Sequence, residues 1–178
     1  MKQTPVPVFT PVARALHWLM AVLIVAMLFI GVAMVSVIAA RPLLIDLHRP
    51  LGIAILVLAV IRLGYRLRHR PPALPADLSR LQVVGAHASH LLLYALILAM
   101  PLLGWALLSA GGYPVTLGAG LHLPPIAPHD ATLYAWLRSA HGWLAYLLFG
   151  VVLAHLGAAL FHHWVRRDSV LRSMLGRR

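Results

Sequence analysis

The sequence predicts an all-α membrane protein, a four-transmembrane-helix bundle with both termini cytoplasmic, and three observations predict it. Hydrophobic residues make up 61% of the 178 and charged residues 11%, whereas a soluble domain is about half apolar and about a quarter charged. The apolar residues gather into four runs, each near or beyond the roughly 20 residues that cross a bilayer. The basic residues sit at the ends of those runs, where membrane proteins place them. A formal charge of +11 would suggest nucleic acid only on the basic face of a soluble domain, so no nucleic-acid partner is expected. Four acidic residues are too few to solvate a soluble surface, and a mean hydropathy of +0.86 makes lipid the solvent.

The first helix is expected over about 13–40, since residues 15–40 carry no charge. A cleaved signal peptide is the competing reading of an N-terminal apolar run, and Ile38-Ala39-Ala40 lends it a cleavage site. Its apolar core should be only about 7–15 residues long, and this run is much longer. The second helix is expected over 47–67, with Pro50 in its first turn, where a missing N–H costs little. The third spans 83–108, with Pro101 and Gly104 near its far end, where a kink is expected. The fourth spans 136–165. The Gly- and Pro-rich stretch 110–133 between the last two cannot cross and reads as an external loop. Residues 1–178 thus form one domain, without repeats or low-complexity segments.

Orientation follows from the basic residues. Lys2, Arg14, Arg62, Arg66, Arg68, Arg70, Arg80, Arg166, Arg167, Arg172, Arg177 and Arg178 fall on one side, and only Arg41, Arg49 and Arg138 on the other. The positive-inside rule puts both termini and the loop 68–80 in the cytoplasm. Trp18, Trp105, Trp136, Trp143 and Trp164 fall near span ends, as an aromatic belt requires.

The chain has no cysteine and eleven histidines. Without cysteine there are no disulfides, thiolate metal sites, iron–sulfur ligation or covalently attached haem. Imidazole in hydrocarbon is costly unless it faces the bundle interior and finds a partner. His17 lies near the cytoplasmic end of helix one and His48 at the external end of helix two. His141 lies near the external end of helix four and His155 fourteen residues further in, about four helical turns and roughly 21 Å away on the same face. Each membrane depth therefore offers one histidine from each of two helices. Two neutral imidazoles are a natural ligand set for haem iron, and such closed sites favour electron transfer over oxygen binding. Pattern alone does not rank His155 above His162, which is seven residues further along and on nearly the same face. His87 and His90 share a face of helix three near its cytoplasmic start. His69 and His163 fall at the interface, and His122 and His129 in the external loop.

The segments ARALHWLMAVLI, LHRPLGIAILVLAVIRLGYRLRHRPP, HASHLLLYALILAMPLLGW, HGWLAYLLFGVVLAHLGAALFHH and RRDSVLRSM, in this order and spacing, together resemble the bacterial cytochrome b561 family. The resemblance covers nearly the whole chain except its first residues and the external loop. It implies a bacterial inner-membrane protein with two haem b groups, each on one axial histidine pair. The family's motif positions fall on His17 with His155 and on His48 with His141, and by this analogy His155 is chosen over His162. Small members of the family pass electrons from superoxide to ubiquinone, so lipid, quinone and superoxide are the expected partners. An electron-transfer subunit or carrier serving another redox protein is the alternative, with no protein partner identifiable. A transporter or sensor binding a divalent metal through the same histidines is a third reading.

Two arginines adjoin the ligand positions. Arg14 is one turn before His17 and Arg49 is next to His48, where either could pair with the anionic propionates of a haem or merely snorkel. Arg62 lies deeper and is expected either to snorkel or to contact the inner propionates. On the external side Arg41, Arg49 and Arg138 outnumber Asp46 and Asp130, a positive excess that would steer an anion such as superoxide. His87, His90 and His162 crowd the cytoplasmic side, where imidazoles could supply protons to a quinone.

Overall fold

A computed structural model describes residues 8–117 and 120–176; Lys2, Arg177 and Arg178 of the orientation count lie outside them. Four long helices, each long and apolar enough to cross a membrane, form the body of the molecule. Helix α1 (Pro11–Ser36) starts where Thr10 accepts the Ala13 N–H and Pro11 supplies a preset backbone angle. It stops short of the expected residue 40, because Val37 leaves helical geometry and residues 38–40 form a 3₁₀ turn that reverses the chain.

Helix α2 (Arg41–Arg68) begins six residues before the expected 47. Pro42 takes the first-turn place, and Pro50 lies inside the helix instead of in its first turn. The expectation followed where the apolar run begins, but a helix can continue through polar residues at the membrane surface because it satisfies its own backbone. Helix α3 (Arg80–Ala110) opens on a reciprocal cap: Ser79 accepts the Gln82 N–H at 3.3 Å and Gln82 accepts the Ser79 N–H at 3.0 Å. Pro101 lies inside it.

Helix α4 (Ala131–Phe161) is capped by Asp130, whose carboxylate takes the Leu133 N–H at 2.7 Å. A π-helical turn over His162–Arg166 follows, ended by Arg167 in the left-handed region at φ 56°. A short helix α5 (Val170–Leu175) closes the described chain.

Each long helix packs against the next in sequence, α1 on α2, α2 on α3 and α3 on α4. Met20, Ile24, Ile55, Ala59, Leu96, Ile97 and Leu148 form the buried core. Most other apolar side chains point outward: Phe29 is 63% and Leu91 73% exposed, the arrangement of a surface solvated by lipid.

The two ends of the bundle differ. At one, the N-terminal and C-terminal segments meet: the Phe9 N–H reaches the Ser173 carbonyl at 3.3 Å and the Trp18 indole the Met174 carbonyl at 3.2 Å. At the other, residues 111–117 and 120–130 fold over the helix ends. Strands β1 (Val115–Thr116) and β2 (His122–Leu123) make a minimal antiparallel hairpin. The Trp105 indole donates to the Pro124 carbonyl at 2.9 Å and Ser109 Oγ accepts the Ile126 N–H at 3.1 Å, tying the loop to α3.

Candidate functional site

At the loop-covered end, His48 on α2 and His141 on α4 face each other with ring centroids 6.2 Å apart. Towards the opposite end, His17 on α1 and His155 on α4 do the same at 6.4 Å. Both ring pairs are inclined at 67°. The helix pairs that carry them, α1 with α4 and α2 with α4, are not among the closely packed ones. With an imidazole–metal bond of about 2.0–2.1 Å, two imidazoles trans across one metal have centroids a little over 6 Å apart. Both pairs have that separation.

The surroundings of the outer pair fit a ligand role as well. His48 Nδ1 and His141 Nδ1 are buried and have no hydrogen-bond partner among the described residues, so neither ring is committed to a hydrogen bond within the bundle through that atom. Gly104 on α3 lies against the His141 ring: a Cβ there would stand 3.3 Å from His141 Cε1. The missing side chain makes room for the imidazole. Arg49 is partly buried beside His48 and forms no ion pair with a carboxylate among the described residues.

More polar side chains crowd the inner pair. Arg62 on α2 donates to His17 Nδ1 at 2.8 Å. The guanidinium carbons of Arg62 and Arg66 lie 5.7 Å and 5.8 Å from the centre of the Tyr94 ring, and the Tyr94 hydroxyl is buried without a partner. His90 on α3 stands 5.6 Å from His155, ring to ring. Arg14, one turn before His17 on α1, lays its guanidinium where a Cβ on Gly176 would be, at the end of α5, and its buried Nε has no hydrogen-bond partner among the described residues. A cation is favoured at such a helix C-terminus.

His162 faces a different partner. Its Nδ1 lies 2.5 Å from Asp168, which also accepts from Arg166 Nε at 3.3 Å and from the Val170 N–H at 3.0 Å. Arg166 in turn reaches Asp77 in the α2–α3 loop at 2.5 Å. Burial by itself would raise the Asp168 carboxyl, but hydrogen bonds from His162, the Val170 N–H and Arg166 outweigh it and hold the group below the ordinary carboxylate range. The π-helical turn that begins at His162 lets the chain bend back so that Asp168 meets this ring. His155 and His162, equivalent in helical phase, are thus separated by what they touch.

The remaining histidines lie away from both pairs. His87 donates to the Val83 carbonyl at 2.8 Å, and His69 donates to the Tyr65 carbonyl and stacks on the Tyr65 ring at 4.0 Å. His122 bonds Thr116 across the hairpin at 3.1 Å, and His129 lies by Gly112. Among the described residues no three His, Asp or Glu side chains converge as ligands of a divalent ion. Sequence reasoning placed the four facing histidines and Arg62 at the sites, gave Gly104 and Arg66 other roles, and did not single out Tyr94 or Asp168. Of these, Asp168 left a signal: it is one of only four acids and stands six residues after a histidine.

Comparison with known proteins gives this geometry a setting. Residues 8–177 match the family model described as prokaryotic cytochrome b561. The chain is 28% identical over 172 residues to cytochrome b561 homolog 2 of Escherichia coli strain K12, covering 93% of this chain and 90% of that one. It is 32% identical over 133 residues to cytochrome b561 homolog 1 of the same organism, covering 75% of each. It is 32% identical over 161 residues to a protein of Yersinia pestis named probable superoxide oxidase CybB, covering 90% of this chain and 91% of the relative. A match over nearly the whole chain, on a bundle of four membrane-crossing helices with facing histidines, shows that this multi-pass bacterial membrane protein belongs to the prokaryotic cytochrome b561 family, haem b proteins of membrane electron transfer.

Proposed function

We propose that the chain binds two haems b and acts as a superoxide:ubiquinone oxidoreductase of the bacterial inner membrane, with both termini in the cytoplasm. The observation that carries this reading is the pair of facing imidazole pairs, 6.2 Å and 6.4 Å between centroids, one towards each membrane surface. His48 and His141 would hold the outer haem, and His17 and His155 the inner one. So held, the two haems would supply one-electron carriers spaced across the bilayer. The name of the Yersinia relative supports superoxide as donor.

The chain's own residues divide the remaining work. The overall reaction oxidises two superoxide ions to two molecules of dioxygen while one ubiquinone takes up two electrons and two protons. Arg41, Arg49 and Arg138 give the outer face the positive sign that draws an anion in, and a focused field raises encounter rates most at low salt. Protons for the quinone are the task of His90, which faces the inner pair, whereas His87 and His162 are engaged by Val83 and Asp168.

Two measurements test this reading. Purified protein should contain two haems b per chain and show a reduced-minus-oxidised spectrum of low-spin b type. Rapid mixing of the oxidised protein with superoxide should then reduce it, with faster turnover when ubiquinone is present. Reduction no faster than that of an unrelated b cytochrome would overturn the enzyme reading and favour a carrier for another redox protein.

A further inference from the structure

The inner end of the bundle holds two arginines that lack a carboxylate partner. Arg62 and Arg66, one turn apart on α2, are both partly buried and flank the Tyr94 ring. The chain contains four acidic residues, and all four lie elsewhere. Asp46 is sixteen positions before Arg62 on the same helix, roughly 24 Å along its axis. Asp130 caps α4 at the loop-covered end. Asp77 is paired with Arg166, and Asp168 with His162 and Arg166. A cation drawn into hydrocarbon costs several kcal/mol unless it is paired or reaches the interface, so two together call for an anion that no Asp or Glu side chain of the chain provides.

The hydrogen bonds make the same demand. A guanidinium only donates, so in the Arg62–His17 contact His17 Nδ1 must accept and its proton must sit on Nε2. Nδ1 being covered, Nε2 is the atom left to ligate iron. Ligation through the Nε2 lone pair requires the imidazole proton to move to Nδ1, which can then no longer accept from Arg62. Binding at His17 therefore frees the Arg62 guanidinium for another acceptor. The Tyr94 hydroxyl, on the ring that both guanidinia approach, is a second donor without a partner among the described residues.

From this we infer that Arg62, Arg66 and Tyr94 form the anchor for the two propionates of the inner haem, and that Arg62 exchanges His17 for a propionate when the haem enters. Two carboxylates match two guanidinia in charge, and arginine forks with a phenol hydroxyl match them in donors. The anchor then fixes which way round the inner haem sits, with its carboxylates towards the α2–α3 side. This assignment rests on the di-haem reading, to which it adds a residue set that the histidine pairs do not require.

A change in the ligand tests it without altering the protein. The full-length His48→Ala protein, which presents only the inner site, is produced under haem limitation and titrated with haem b and with its dimethyl ester. The Soret band of the low-spin complex is the readout. Free haem should bind at least about tenfold more tightly than the ester, since each charge-assisted pair lost is worth that factor or more. The preference should shrink to within about threefold in Arg62→Gln/Arg66→Gln and by part of that in Tyr94→Phe. Equal affinity for haem and ester in the unsubstituted site would overturn the anchor while leaving the histidine pair standing. The full preference persisting in the double variant would also overturn it, because the carboxylates would then be held elsewhere. Should neither pigment bind even to the protein with all its histidines, the di-haem reading itself fails. Where the double variant does not fold, the ester comparison on the native residues and on Tyr94→Phe still decides.

Discussion

Gly104→Val should empty the proposed outer haem site, and the reason is measurable in ångströms. A Cβ at position 104 would stand 3.3 Å from His141 Cε1 and 3.8 Å from Nδ1. Carbon atoms pack best at about 3.5–4.0 Å, so alanine asks the imidazole to retreat by a few tenths of an ångström. A functional constellation tolerates about 0.5 Å of displacement, and Gly104→Ala should therefore keep both haems with outer-site affinity reduced several-fold. Valine adds two methyl groups about 1.5 Å beyond the Cβ, which exceeds that tolerance. Its outer haem should be lost, leaving one haem per chain by pyridine haemochromogen assay and a spectrum of the inner site alone. Backbone effects do not confuse the result, because alanine in a helix interior is favoured over glycine by about 0.5–1 kcal/mol. Gly150, with nothing within 4 Å of its Cβ position, serves as control, and both substitutions there should retain two haems. A Gly104→Val protein with two haems and an unchanged outer spectrum would refute both the cradle and the assignment of His141.

Three further outcomes follow from the same geometry. His155→Ala should lose the inner haem while His162→Ala keeps it, since His162 is engaged by Asp168; haem loss in the second variant and not the first would reverse the assignment. The ties of Asp168 to His162, Arg166 and Val170 should fail on acidification. Because the folded carboxyl titrates below its ordinary value, its contribution is complete at neutral pH, fades as pH falls below about 4 and is gone beneath the folded value; amide exchange over residues 170–175 reads this, and exchange independent of pH after correction for intrinsic rates would contradict it. Arg49→Gln/Arg138→Gln should slow reduction by superoxide several-fold at low ionic strength and converge with the parent at high salt, and a salt-independent deficit would mean these arginines act by something other than steering.

How much of the fold was legible depended on which signal set each boundary. Long uncharged runs forced four helices, because in lipid a backbone without internal hydrogen bonds is too costly to cross. Hydropathy locates the part of a helix that lies in hydrocarbon, and it is silent on where the helix ends. The true starts of α3 and α4 are set by polar caps, Ser79 with Gln82 and Asp130, three to five residues outside the apolar runs. The capping pattern S-R-L-Q stands at residues 79–82, outside the apolar run, where hydropathy carries no signal. The π-helical turn at His162–Arg166 left no such mark, since its cause is the tertiary meeting of Asp168 with His162 and of Arg166 with Asp77.

The site divided along the same line. Depth can be counted from a sequence, so the levels of His17, His48, His141 and His155 were readable, and the structure brings each expected pair face to face. Direction within a helix is readable only to the precision of helical phase, and His155 and His162 differ by about 20°. That difference is too small for phase to decide, and the choice passed to their neighbours. Asp168 reaches one ring, and His17 faces the other. The same holds for the cations. Charge counting places Arg14, Arg62 and Arg66 alike at the inner surface, and sequence reasoning offers Arg14 and Arg62 to the propionates; the structure separates them, with Arg14 at the C-terminus of α5 and Arg62 and Arg66 against the partly buried Tyr94. Scarcity of acid was read at first only as the mark of a membrane protein. In the folded chain it also means that the partly buried Arg62 and Arg66 have no Asp or Glu partner, and a dianionic cofactor seated on histidines is the kind of ligand that would provide one.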